Sequence, residues 1–203
     1  MSFDLDHYIE TYEVHPETVA FLKSRSTSGA RAYEEVGVEE ARENALQTAK
    51  KYGGHFEFRG KENEIVVPAS SLTDDIPVTV YIPDVCGQTS YPLPLLVYFH
   101  GGGNVTKCRK THETVCRILA SKTPCIVLNV EYRLAPEHKF PANHHDAKRV
   151  VEWTAENKTL VGGTKDSKLG VAGDSAGGYI SAVVCHETKS LIDFALRYVA
   201  GNL

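Results

Sequence analysis

Lys168-Leu169-Gly170-Val171-Ala172-Gly173-Asp174-Ser175-Ala176-Gly177-Gly178 is the stretch from which the rest of this chain becomes readable. Residues 168–172 are few and apolar, as a buried strand is. Ile180, Val183 and Val184 then recur at i, i+3 and i+4, as the inward face of a helix does. Between them stands Gly173-x-Ser175-x-Gly177, a tight strand-to-helix turn in which glycines leave space that side chains would fill. Such a turn lifts the serine clear of the sheet with its hydroxyl exposed, which makes Ser175 a candidate nucleophile. The same five residues also fit an ordinary βα turn that happens to carry a serine.

Working outward, apolar runs alternate with amphipathic ones. Leu93–Phe99, broken only by Pro94, and Pro124–Val130 read as strands, as does Phe194–Val199. Helices are predicted over 109–121, with Val115, Ile118 and Leu119 inward, over 143–157, with Ala147, Val150, Val151 and Thr154 inward, and over 176–188. This alternation predicts βαβ units, hence an α/β fold with a mostly parallel sheet covered by helices on both faces. Upstream, Ile65–Val67 and Ile76–Ile82 read as strands, the second confined by Pro77 and Pro83 to a place that can spare donors. Residues 1–52 read as helical, with Pro16 in a first turn ahead of Val19, Phe21 and Leu22. Ala41, Ala45, Leu46 and Ala49 form a second stripe, stopped by Gly53-Gly54. The chain thus divides into a helical segment, 1–60, and an α/β core, 61–203.

The 203 residues carry a net charge of −4, 42% hydrophobic and 24% charged residues, and no basic cluster. That balance offers nothing to nucleic acid or to an anionic membrane. The acidic start, Met1–His7, has no secretory pattern, and no apolar run is long enough for a transmembrane anchor. The odd set Cys86, Cys108, Cys116, Cys125 and Cys185 reads as reduced, mostly buried thiols in a cytoplasmic protein. Asn104-Val-Thr106 and Asn157-Lys-Thr159 accordingly read as unmodified.

His100-Gly101-Gly102-Gly103 follows the strand 93–99. Attack by a serine on an ester carbonyl creates an oxyanion, which needs backbone N–H donors that no side chain obstructs. Gly102 and Gly103 are candidate donors, joined by Ala176, the residue after the serine. A phosphate loop would need G-x-G-x-x-G or a G-K-[ST] ending, and neither is present. His100 and Gly101 read as loop-shaping residues, and no cofactor motif occurs. Glu131–Ala142 is too charged for core, and Arg133 is expected to pair with Glu131 or Glu137. His144-His145-Asp146 reads as exposed helix-start histidines and a first-turn aspartate favoured by the helix dipole, not as a metal site.

His100–Gly103, Glu131–Ala142 and Gly173–Gly178, in that order and spacing, resemble the hormone-sensitive-lipase family of α/β-hydrolase esterases, including arylacetamide-deacetylase-like and bacterial short-chain enzymes. The resemblance covers residues 65–185 and extends to helical cap segments over 1–60. It implies Ser175 as nucleophile, Gly102, Gly103 and Ala176 as oxyanion hole, Asp174 as support for the elbow, and a small-molecule ester as substrate, without cofactor or metal. The family's triad runs serine, acid, histidine. After Ser175 only Glu187, Asp193 and His186 remain, in an order that cannot serve. The later strands, with the acid and base, are therefore expected to be missing, leaving 194–199 as an apolar edge and the isolated chain marginally stable. A serine esterase, an amidase on the same scaffold and a catalytically silent binding protein stay open, as does the oligomeric state.

Overall fold

The structure, a computed structural model, describes residues 4–29, 31, 35–85 and 89–198. Its contacts divide the chain into two compact units, Met1–Glu40 and Ala41–Leu203. In the first, α1 (Leu5–Thr11) is capped by the Asp4 carboxylate, which accepts from the His7 N–H at 3.1 Å. Helix α2 (Pro16–Thr27) carries its proline in the first turn, and neither helix buries a residue fully. Helix α3 (Val38–Tyr52) begins in this unit and runs into the second, where Ala41 and Ala45, one turn apart, are buried.

The second unit is built on a six-stranded sheet of order β1-β2-β4-β3-β5-β6. The strands are β1 (Gly60–Val67), β2 (Ile76–Pro83), β3 (Leu95–Phe99), β4 (Ile126–Val130), β5 (Leu169–Asp174) and β6 (Phe194–Tyr198). Strands β4, β3, β5 and β6 run parallel, and β1 and β2 form an antiparallel margin. The period of two along β3 sorts the core into two layers. Leu95, Val97 and Phe99 point to one face, with Val150, Val151, Ile180 and Val184 of α5 (Ala142–Glu156) and α6 (Ala176–Glu187). Leu96 and Tyr98 point to the other, with Cys116 and Ala120 of α4 (Glu113–Lys122). Both faces are covered, as the apolar runs required.

Two local expectations are corrected. Helix α4 turns Cys116 and Ala120 inward, while Val115 and Ile118 are 42% and 39% exposed. Small residues at i and i+4 bring the helix close to β2 and β4, a packing reason that outranks side-chain size. Strand β1 starts at Gly60, five residues before the apolar run, because an antiparallel margin strand tolerates the exposed, polar stretch Gly60–Glu64. Strand β2 lies inside the sheet, with its prolines where donors can be spared, as expected. Its ladder with β4 uses only Val78–Tyr81, and Pro77 and Pro83 flank that stretch.

Cys108, Cys116, Cys125 and Cys185 are free thiols, the middle two buried. Cys86 and Val199 lie outside the described residues. Among the described residues no helix is long and apolar enough to cross a membrane.

Candidate active site

Strands β3 and β5 are parallel neighbours with Phe99 opposite Gly173, so the segments that leave their C-terminal ends are held side by side. Loops at such ends are where α/β sheets place their ligands. The segment after β5 is the elbow. Ser175 has φ 49° and ψ −118°, a conformation L-residues avoid, and its side chain is exposed at the start of α6. Only glycines fit around it: a Cβ on Gly177 would lie 1.9 Å from the Phe99 carbonyl oxygen, and one on Gly173 would lie 2.4 Å from the Gly177 carbonyl carbon. The strain at Ser175 is thus held in place by backbone packed on backbone.

The segment after β3 is the glycine loop. Gly102 takes φ 123° and Gly103 φ 62°, and the Gly102 carbonyl accepts from the N–H groups of Val105 and Thr106 at 3.1 and 2.9 Å. Among the described residues, no hydrogen bond consumes the N–H of Gly102, Gly103 or Ala176.

Behind this rim is a buried polar layer. His100 is fully buried; its Nδ1–H donates to the Gly101 carbonyl at 2.7 Å and its ring stacks on Tyr132 with centroids 4.4 Å apart. The Tyr132 hydroxyl donates to the His100 carbonyl at 2.5 Å. His100 Nε2 has no partner among the described residues, and burial pushes the imidazole down to about 4. Asp174 Oδ1 accepts from the Gly101 N–H at 2.8 Å, the Tyr98 hydroxyl at 3.0 Å and His112 Nε2 at 3.1 Å. Burial alone would raise this carboxyl, but the donors led by His112 outweigh it and hold the group well below the usual carboxylate range.

Sequence reasoning named Asp174 and His100 but not Tyr98, Tyr132 and His112, which hydrogen-bond or stack on them. Tyr98 and Tyr132 read as core aromatics, and a buried hydroxyl leaves no mark in an apolar run. His112 ends a 3-10 turn (Arg109–His112) just before α4, so its only signal is a histidine at a helix entrance.

The charged segment 131–142 is braced differently from the expectation. Arg133 pairs with Asp146, with Nε to Oδ2 at 2.9 Å, Nη2 to Oδ1 at 2.7 Å and its backbone N–H to Oδ2 at 2.9 Å. Glu131 instead holds Arg109 at 3.0 Å, and Glu137 holds Arg42 at 2.8 Å. Asp146 is therefore a buried counter-ion inside α5, not a first-turn residue serving the helix dipole. His144 is buried too, contrary to the exposed reading, because Phe140 and Tyr179 flank its ring at 5.1 and 5.5 Å.

The residues after Ser175 stay away from it. His186 and Glu187 are exposed at the far end of α6, with His186 roughly 16 Å from the elbow at about 1.5 Å per residue. Asp193 is committed to Lys168 Nζ at 3.0 Å and the Leu169 N–H at 2.9 Å. A cleft of about 530 Å³ beside the glycine loop is lined by Arg42, Lys107, Cys108, Tyr132 and Arg133, among others, and does not include Ser175.

A sequence model described as the alpha/beta hydrolase fold matches residues 96–200. Carboxylesterase NlhH of Mycobacterium tuberculosis is 47% identical over 128 residues, 63% of this chain and 39% of that protein. Human arylacetamide deacetylase-like 3 is 40% identical over 113 residues, 55% of this chain and 27% of that protein. A solved esterase of Pyrobaculum calidifontis superposes with a TM-score of 0.74 at 31% identity, over 90% of this chain and 57% of that one. The chain spans less than half the length of these curated relatives. Elbow, glycine loop, sheet order and sequence match agree: the chain belongs to the alpha/beta hydrolase fold family, in its hormone-sensitive-lipase-like branch.

Proposed function

We propose that this chain carries the nucleophile and the oxyanion hole of a cytoplasmic serine carboxylic-ester hydrolase. The observation that carries the reading is the exposed, strained Ser175 at the end of β5, next to the glycine loop that leaves the neighbouring β3, with the N–H groups of Gly102, Gly103 and Ala176 making no hydrogen bond among the described residues. Ser175 Oγ attacks the ester carbonyl carbon and loses its proton to a general base. The carbonyl oxygen gains the charge and takes the three N–H donors, fixed in advance of the reaction. The carbon–oxygen bond to the leaving group breaks, the alcohol departs with the proton, and water then cleaves the acyl-enzyme. Triads on this fold place acid and base after the nucleophile, and among the described residues His186, Glu187 and Asp193 lie away from Ser175, so none of them is assigned either role.

Labelling with a fluorophosphonate followed by peptide mass spectrometry tests the assignment. With excess probe and prolonged exposure, which offset the lack of a base near Ser175 among the described residues, slow labelling is expected on Ser175 and none in Ser175→Ala. Hydrolysis of a short-chain nitrophenyl ester by the 203-residue chain is expected to stay within about 10³ of the rate in water, the share an oxyanion hole supplies without its base. No label, or a label elsewhere, would refute Ser175 as nucleophile and favour a catalytically silent binding protein.

A further inference from the structure

We propose that His112 is a positioning residue for Ser175: its Nε2–H holds the Asp174 carboxylate, Asp174 holds the Gly101 N–H, and glycine loop and elbow are thereby fixed to each other. The inference rests on the reading of Ser175 as nucleophile. On that reading Gly102 and Gly103 approach the oxyanion from one segment and Ala176 from another, and donors of this kind act only within a few tenths of an ångström of their best distance.

One oxygen makes the link. Asp174 Oδ1 gathers a donor from β3 (Tyr98), one from the glycine loop (Gly101) and one from the turn ahead of α4 (His112). Steric fit reinforces it, since a Cβ on Gly101 would lie 2.3 Å from Asp174 Oδ2. An ionised carboxylate can only accept, so His112 carries a proton on Nε2. Its other nitrogen, Nδ1, lies 2.8 Å from Thr111 Oγ1. That hydroxyl accepts from the Cys108 N–H at 3.2 Å and reaches the Cys108 carbonyl at 2.7 Å. A hydroxyl so placed can donate to Nδ1 or accept from it, and in either case Nε2–H stays on Asp174. The latch therefore survives either charge state of the ring. His100, 5.7 Å away between centroids, differs: its Nε2 ends on no partner.

The test compares His112→Leu, which removes the donor, with His112→Gln, whose amide can donate to Asp174 and accept from Thr111. In His112→Leu, Gly101 amide exchange is expected to accelerate and fluorophosphonate labelling of Ser175 to slow by about tenfold or more, while His112→Gln stays within about threefold of wild type. Equal behaviour of the two variants, or unchanged Gly101 exchange in His112→Leu, would overturn the proposal. Should His112→Leu not fold, the wild-type ring nitrogens decide by NMR: a proton persisting on Nε2 supports the latch, and a proton on Nδ1 alone refutes it. If wild type takes no label, the nucleophile reading fails, and amide exchange and ring signals still decide the latch.

Discussion

Asp146 and Asp174 are both largely removed from water, with 1% and 15% of their side chains exposed, yet they are stabilised by opposite means. Asp146 faces a guanidinium. Arg133 gives it parallel N–H bonds and a backbone N–H, and the same guanidinium reaches the Leu72 carbonyl at 2.9 Å. Among the described residues Asp174 has no arginine or lysine as hydrogen-bond donor; it has a phenol, an imidazole and a peptide N–H. The first arrangement fixes the shape of a charged loop with a cation that no ordinary pH removes. The second meets the carboxylate with three donors from three separate segments. A permanent cation braces the charged loop, and titratable or neutral donors hold the carboxylate of Asp174, the residue before Ser175.

Removing the brace gives the largest effect. Asp146→Ala strands the Arg133 guanidinium and is expected to cost about 3 to 4 kcal/mol in urea unfolding. A cost below about 1 kcal/mol would show that water replaces the carboxylate and would end the contrast drawn above.

Acid is expected to attack the Asp174 side. His100, held at about 4, is depressed below its unfolded value near 6.5, so the unfolded chain takes the proton first. The stability it contributes is complete above about pH 6.5 and is lost as pH falls toward 4, on the order of 3 kcal/mol. Asp174 adds loss in the same direction below the unfolded carboxylate value of about 4. Urea midpoints across this range should slope for wild type and flatten between these limits for His100→Gln; parallel slopes would remove His100 as the source.

Ser175→Gly should sharpen the contrast further. Glycine accepts φ 49° and ψ −118° at little cost, so this variant is expected to gain about 1 kcal/mol in thermal unfolding while losing all labelling. The smallest effect belongs to Lys148→Ala, on the same helix as Asp146. Its exposed pair with Glu152, 3.9 Å apart, should be worth less than about 0.5 kcal/mol by the same urea measurement.

The elements that carry the site were legible because each has a steric or periodic signature. The run 168–184 announces strand, elbow and helix, and every glycine it requires appears in place. The braces were not legible. Arg133 has acidic residues two before it and four after it, and local spacing favoured them, but the partner is Asp146, thirteen positions away and brought in by α5. Helix α4 offered apolar residues on more than one face, and only contact with the sheet selects Cys116 and Ala120. His112 and Tyr98 acquire meaning solely through Asp174, 62 and 76 positions further along. Patterns within one element can be read from sequence, whereas polar pairs across elements depend on how those elements meet.

The register of the sheet also orders the events of folding. Strands β1 and β2 pair Gly60 with Pro83 and Val67 with Ile76, a ladder that closes over a short loop. The elbow is joined to the glycine loop by a hydrogen bond spanning 73 positions. Contacts of such span bear a larger closure entropy and form slowly. Closure entropy therefore favours early assembly of the antiparallel margin, while the unfavourable backbone angles of Ser175 are held only where β3, β5 and the segments above them meet.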